Sequence, residues 1–303
     1  MTARPLPASD APARRDGLLS GNLLAAASMA IWAAGFPAAE GLLETWQPFA
    51  LVPARFAMAL LLLLPVWVAV EGWPRGLPWG RCLLVGGIGI GGAAVALIFA
   101  QAVTDPVTVA VIASVSPLTA TVVEWALERK PLTRSFVWGL GASILGGVVA
   151  TMGGGGGEGH LLLGGALAVL SCLLYSWGSH ETVRSLPGRS ALAQTSSIMV
   201  GAFVGTLAVL LVALAVGQAA LPAHPFAPRD LGLLAVYGMG GMAVSQFLFV
   251  LGIRRIGVAL ASFHINVAPF YVMLIMVALG GDWSWTQALG AAIVAGGVLL
   301  AQR

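Results

Sequence analysis

An apolar run from about Ile256 to Leu279 is interrupted by "SFHINVAPF", Ser262 to Phe270. The imidazole of His264 and the carboxamide of Asn266 can each donate and accept hydrogen bonds. Pro269 lacks an N–H, and its ring displaces the carbonyl of Ile265, which leaves a free acceptor beside them. In the stretch "ASVSPL", Pro117 acts in the same way on the carbonyl of Ala113, with Ser114 and Ser116 at hand. Trp32, Tyr175 and Gln246 add two aromatic faces and an amide inside other apolar runs. Such groups suit recognition of a small ligand by hydrogen bonding, stacking and cation–π contact rather than bond making. Each has a plainer role open to it: His264, Asn266 and Gln246 can bond a neighbouring helix, Ser114 can bond its own, and Trp32 and Tyr175 can fill a helix interface. His264 and Asn266 stand about 200° apart around an α-helix, so both cannot face one cavity squarely.

The elements that carry these groups are membrane helices. The 303 residues are 58% hydrophobic and 9% charged, with a mean hydropathy of +0.93. A soluble domain needs roughly a quarter of its residues charged, so lipid is the expected solvent. A span takes about 20 apolar residues. Ten such runs follow one another, at about 18–38, 48–70, 81–103, 106–127, 135–152, 161–181, 194–217, 231–253, 256–279 and 285–302. Basic residues fall on one side of this array: 13 of the 15 lie in the N-terminal tail, in alternate connections or at Arg303. The opposite side receives Arg229 among mostly acidic residues. Lys and Arg collect in cytoplasmic loops, so both termini are expected in the cytoplasm and the protein in a bacterial-type inner membrane, multi-pass. The basic rim accounts for the high isoelectric point without a nucleic-acid partner. Arg55, inside the second run, is expected to anchor structure by reaching outward or pairing with Glu40 or Glu44.

The chain repeats. "GNLLAAASMAIWAAG" (Gly21 to Gly35) resembles "GGALAVLSCLLYSWG" (Gly164 to Gly178), matching Ser28 with Ser171 and Trp32 with Tyr175. "ASVSPL" matches "INVAPF", aligning Pro117 with Pro269, and "LGASI" at Leu140 matches "LGAAI" at Leu289. Each half then holds five helices, and an odd number sends the second half through the membrane in the opposite sense. The expected division is a tail at 1–17, a first half at 18–152, a glycine-rich extracytoplasmic linker at 153–160 and a second half at 161–303. Inverted repeats of this kind belong to secondary transporters, with the ligand held between the halves near the midplane.

The paired "SP" and "AP" prolines are followed by "ALERKPLTRSFVWGLGASILGGVV" and "ALGGDWSWTQALGAAIVAGGVLL". In these stretches the chain resembles the drug/metabolite transporter superfamily, specifically its EamA-domain exporters, and within them looks most like the amino-acid exporters of the YddG type. The family's acid after helix four or nine is kept as Glu128, but Gly280 and Gly281 stand in its place in the second half. The resemblance implies an all-α membrane protein that exports amino acids, aromatic or hydrophobic, or related small metabolites. The alternatives it leaves are efflux of cationic drugs or nucleosides, or lipid flipping, on the same scaffold.

The expected substrate-binding residues are Trp32, Tyr175, Gln246, His264, Asn266 and Ser114, with Pro117 and Pro269 as hinges. Catalytic residues, metal ligands and cofactors are not expected. "GIGIGG" (Gly87 to Gly92) satisfies a dinucleotide-binding pattern, yet it lies inside a membrane run with no strand before it. Gly201 and Gly205 in "GAFVG" suit close helix packing. Cys82 and Cys172 imply neither a disulfide framework nor a metal site. The expected partners are a small-molecule substrate and the lipid bilayer. Proton coupling and the choice between a monomer and a loose homo-oligomer stay open.

Overall fold

The computed structural model describes residues 10–129, 131–153, 158–249, 251–252, 255–256 and 264–301. Among them every regular element is helical. The helices are α1 (Asp10–Leu43), α2 (Pro48–Glu71), α3 (Trp79–Val103), α4 (Pro106–Ala113), α5 (Ser116–Glu128), α6 (Arg134–Met152), α7 (Glu158–Ser185), α8 (Ala191–Ala215), α9 (Pro228–Phe249), α10 (Ala268–Ala278) and α11 (Trp285–Ala301).

Seven of these contain stretches long and apolar enough to cross a membrane, and α4 with α5 makes an eighth bent by 42°. His264–Ala278 and Trp285–Ala301 are apolar but shorter. The outward faces are lined by Leu61, Trp138, Ile144, Leu211, Val212 and Leu274, all more than half exposed. A surface this apolar is stable only where lipid replaces water.

Local chemistry sets the element ends. Pro48, Pro106 and Pro228 stand in first turns, where a missing N–H costs nothing. Asp105 caps α4 by accepting from the backbone N–H groups of Val107 and Thr108, while Thr133 and Ser190 cap α6 and α8. Gly72 ends α2 at φ +77°, a conformation that side chains resist.

The glycines of the sequence bring helices into backbone contact. A Cβ on Gly201 would overlap the Cys82 carbonyl oxygen, and one on Gly86 would overlap that of Ile198. Gly205 faces Gly87, and Gly89 faces Gly178. "GIGIGG" therefore serves helix packing: α3 is pressed against both α7 and α8. In the same region α3 widens into a π-helix over Val85–Gly91, and α9 does so over Ala235–Val244. At the far side α6 and α11 interlock through Gly139, Gly146, Gly290 and Gly297. Close approach of this kind is how helices associate where no water drives them together.

The two prolines sit differently from the mid-helix kinks that the sequence suggests. Pro117 opens α5 after a break at Ser114 and Val115. The Ala113 carbonyl is not left free; it accepts from the Ser116 hydroxyl at 2.5 Å. Pro269 stands in the first turn of α10, directly after a short 3-10 turn at His264–Val267. The residues before that turn, 257–263, lie outside the described part, as do residues 154–157 of the glycine linker.

Candidate functional site

Between the helices lies a cavity of about 350 Å³, to which both halves of the chain contribute. Helix α1 presents Ser28, Met29 and Trp32, four positions apart at most and so on one face. Helix α7 presents Ser171, Tyr175, Ser179 and Thr182 at the same helical spacing. The widened segment of α3 contributes Ile90, and that of α9 contributes Gly241 and Met242, followed by Ser245 and Gln246. A π-turn shifts the register of everything beyond it, which re-aims side chains without breaking the helix.

Trp32, Tyr175 and Gln246 thus share one cavity. Trp32 is braced edge to face by Phe36, with ring centroids 5.1 Å apart. Tyr175 is 43% exposed and lies on the cavity wall. Ser28 donates to the Ser245 carbonyl at 2.7 Å, tying α1 to α9 inside the wall.

His264, Asn266 and Ser114 are not on that wall. Ile265, between the first two, is. A 3-10 turn advances about 120° per residue, so with Ile265 facing inward its neighbours point to either side. Asn266 is buried, and its Oδ1 has no hydrogen-bond partner. Ser114 is also buried and donates back to the Val111 carbonyl at 2.6 Å. On the break between α4 and α5 it is Ala113 and Ser116 that reach the cavity.

Arg55 departs from the place that the sequence suggests for it. It does not reach outward and does not pair with Glu40 or Glu44; Glu44 is held by Arg229 at 2.7 Å. Arg55 is 4% exposed and lines the cavity. It donates to the Tyr237 hydroxyl at 2.9 Å, and its guanidinium lies 4.0 Å from the centre of the Tyr237 ring. A further contact reaches the Met242 sulfur at 2.9 Å. Arg55 shares a helix face with Leu51, Val52 and Ala59, all buried in the structure, so its charge points into the bundle. No Asp or Glu lines the cavity among the described residues.

The two ends of the molecule differ. Thr182, Ala191 and Gln194 carry the cavity to the last turn of α7, which holds Arg184, and to the connection after it, which holds Arg189. The opposite end is cross-tied. Asp230 accepts from Trp46 Nε1 at 2.9 Å and from Thr45 Oγ1 at 3.0 Å. Gln287 donates to Asp105 at 2.7 Å, and Arg229 pairs with Glu44. Each tie joins elements more than 180 positions apart in the chain.

Residues 19–152 match the model of the EamA-like transporter family. A solved structure described only as "Crystal structure of protein" is similar over 93% of this chain and 95% of its own, with a TM-score of 0.64 and 20% identity. At that identity the likeness is one of fold. No curated protein matches the chain. The first part of the chain is therefore similar to an EamA-like transporter domain, and the described helices of the chain include seven long and apolar enough to cross a membrane.

Proposed function

We propose that the chain is a secondary carrier that exports amino acids, chiefly those with aromatic or other apolar side chains, across a bacterial-type inner membrane. The observation that carries this reading is the meeting of Trp32 and Tyr175 on one cavity whose remaining wall is mostly apolar, with several hydroxyls, the amides of Gln194 and Gln246, and Arg55. Aromatic faces reward stacking with an aromatic side chain by about 0.5–1.5 kcal/mol beyond simple burial. A volume of about 350 Å³ suits a ligand of amino-acid size. A cationic drug is the poorer fit, because no carboxylate lines the cavity among the described residues.

Ten spans in two inverted halves of five, 18–152 and 161–303, are the topology that goes with this reading. In it, the open end of the cavity is the cytoplasmic one, since it adjoins Arg184 and Arg189, and the cross-tied end faces outward. That asymmetry is what one of two alternating states looks like, with the breaks at Pro117 and Pro269 as the flexing points.

Export is tested in cells that hydrolyse a phenylalanine-containing dipeptide and so load phenylalanine internally. Expression of the chain is expected to speed release of phenylalanine several-fold over an empty vector, and Trp32→Ala with Tyr175→Ala to remove the gain. Release no faster than the control, from cells that hold the folded protein, contradicts the reading.

A further inference from the structure

We infer that Arg55 is the carboxylate-recognition residue of the cavity, so that the substrate must carry a carboxylate and an uncharged analogue is refused. The inference rests on the reading of the cavity as the transport site and names the chemistry that this site selects.

An arginine stays protonated at any physiological pH. Buried in a membrane protein, such a charge is costly unless an anion or strong acceptors compensate it. Arg55 is 4% exposed, and among the described residues no carboxylate lies within salt-bridge distance of it. What it has instead is one good acceptor, the Tyr237 hydroxyl, together with the face of the same ring. Those two contacts fix the guanidinium from the Nη1 side.

The other edge is underused. Nε is buried without a hydrogen-bond partner, and Nη2 has only the Met242 sulfur. A thioether is a weak acceptor. Nε and Nη2 together form a fork whose spacing matches the two oxygens of a carboxylate. A modest turn of the side chain about its terminal torsions would release the thioether and present that fork to the cavity, with the Tyr237 hydroxyl still bound. One cation balances one negative charge, which favours a monocarboxylate over a phosphate dianion. The amino group of an amino acid would then lie toward the hydroxyl and aromatic wall of α1 and α7, where a cation is tolerated.

The test compares acids with their amides. Purified protein reconstituted in liposomes is assayed for counterflow of labelled L-phenylalanine, competed by unlabelled L-phenylalanine, L-phenylalaninamide, 3-phenylpropionate and its amide. The same compounds, with L-leucine and benzoate added, are scored for thermal stabilisation of the wild-type protein in detergent, a comparison that needs no variant to fold. The acids are expected to act at least about tenfold more strongly than the amides, the size of effect that loss of a buried charged partner gives. Arg55→Gln should erase that preference and Arg55→Lys keep part of it.

Equal action of acids and amides on the wild type overturns the inference while leaving an amino-acid carrier intact, and so does an Arg55→Gln protein that keeps the preference. Stabilisation by 3-phenylpropionate and benzoate, lost in Arg55→Gln, with no counterflow or binding of any amino acid, sinks the amino-acid reading and upholds Arg55. A wild type that responds to no carboxylate overturns both.

Discussion

Trp46 donates its indole N–H to Asp230 at 2.9 Å, and this bond joins the connection after α1 to the first turn of α9. Asp230 is buried, and Thr45 supplies a second donor. A carboxylate bonded by two donors away from water is a strong tie, because breaking it strands a charge at a cost of about 1–3 kcal/mol or more. The contact closes the end of the molecule where the cavity does not open. In an alternating carrier it must break once per cycle.

Asp230→Ala is therefore expected to loosen the closed end. In a background without Cys82 and Cys172, a cysteine placed at the cavity residue Met29 should react several-fold faster with a membrane-impermeant thiol reagent applied from outside. An unchanged rate would make the tie a static staple.

Helix contacts through glycine predict a position-specific pattern of stability. Gly201→Val drives a side chain into the Cys82 carbonyl and is expected to lower the unfolding midpoint by several degrees, on the order of 1–3 kcal/mol. Gly141→Ala and Gly296→Ala, where an added Cβ meets nothing within 4 Å, should be neutral or slightly stabilising. Thermal unfolding in detergent distinguishes these outcomes, and equal effects at all three positions would contradict the packing described.

Trp32→Ala should discriminate among substrates. Loss of a stacking face is expected to weaken competition by phenylalanine and tryptophan up to about tenfold while changing that by leucine less. Competition assays on the same proteoliposomes read the ratio directly. A uniform loss across side chains would reassign Trp32 to packing alone.

The broken helix makes a further prediction. Ser116→Ala leaves the Ala113 carbonyl without the hydroxyl that caps it, with an expected cost of about 1 kcal/mol. Replacing Pro117 and Pro269 together by Ala allows continuous helix and should slow turnover while leaving apparent affinity nearly unchanged. Transport rates indifferent to the double change would remove the prolines from the conformational cycle.

Much of this is legible in the residues because membrane helices write themselves in hydropathy. Seven of the apolar runs coincide with described helices long enough to cross a membrane and that at 106–127 with a bent pair, and "GAFVG" is readable as a packing motif since small residues at that spacing have few other uses. Trp32, Tyr175 and Gln246 stand on one cavity; in sequence Trp32 and Tyr175 share only their matched surroundings, and Gln246 only its place in an apolar run. Arg55 is hard to place for a physical reason: distance from a helix end suggests that a long side chain can reach water, while its direction depends on which face is buried. The flanking Leu51, Val52 and Ala59 are apolar whichever way the helix is turned, so only packing decides. His264 and Asn266 fall on an α-helical wheel in sequence, whereas the chain forms a 3-10 turn there and turns Ile265 inward. The π-helical segments of α3 and α9 leave no mark beyond their glycines.

The most direct test is counterflow. Purified protein in liposomes loaded with unlabelled L-phenylalanine is given a trace of labelled L-phenylalanine outside, with protein-free liposomes as control. Transient accumulation of label well above the control is expected, abolished when unlabelled phenylalanine is added outside. Folded, reconstituted protein that accumulates neither phenylalanine nor leucine above the control would contradict the proposed function.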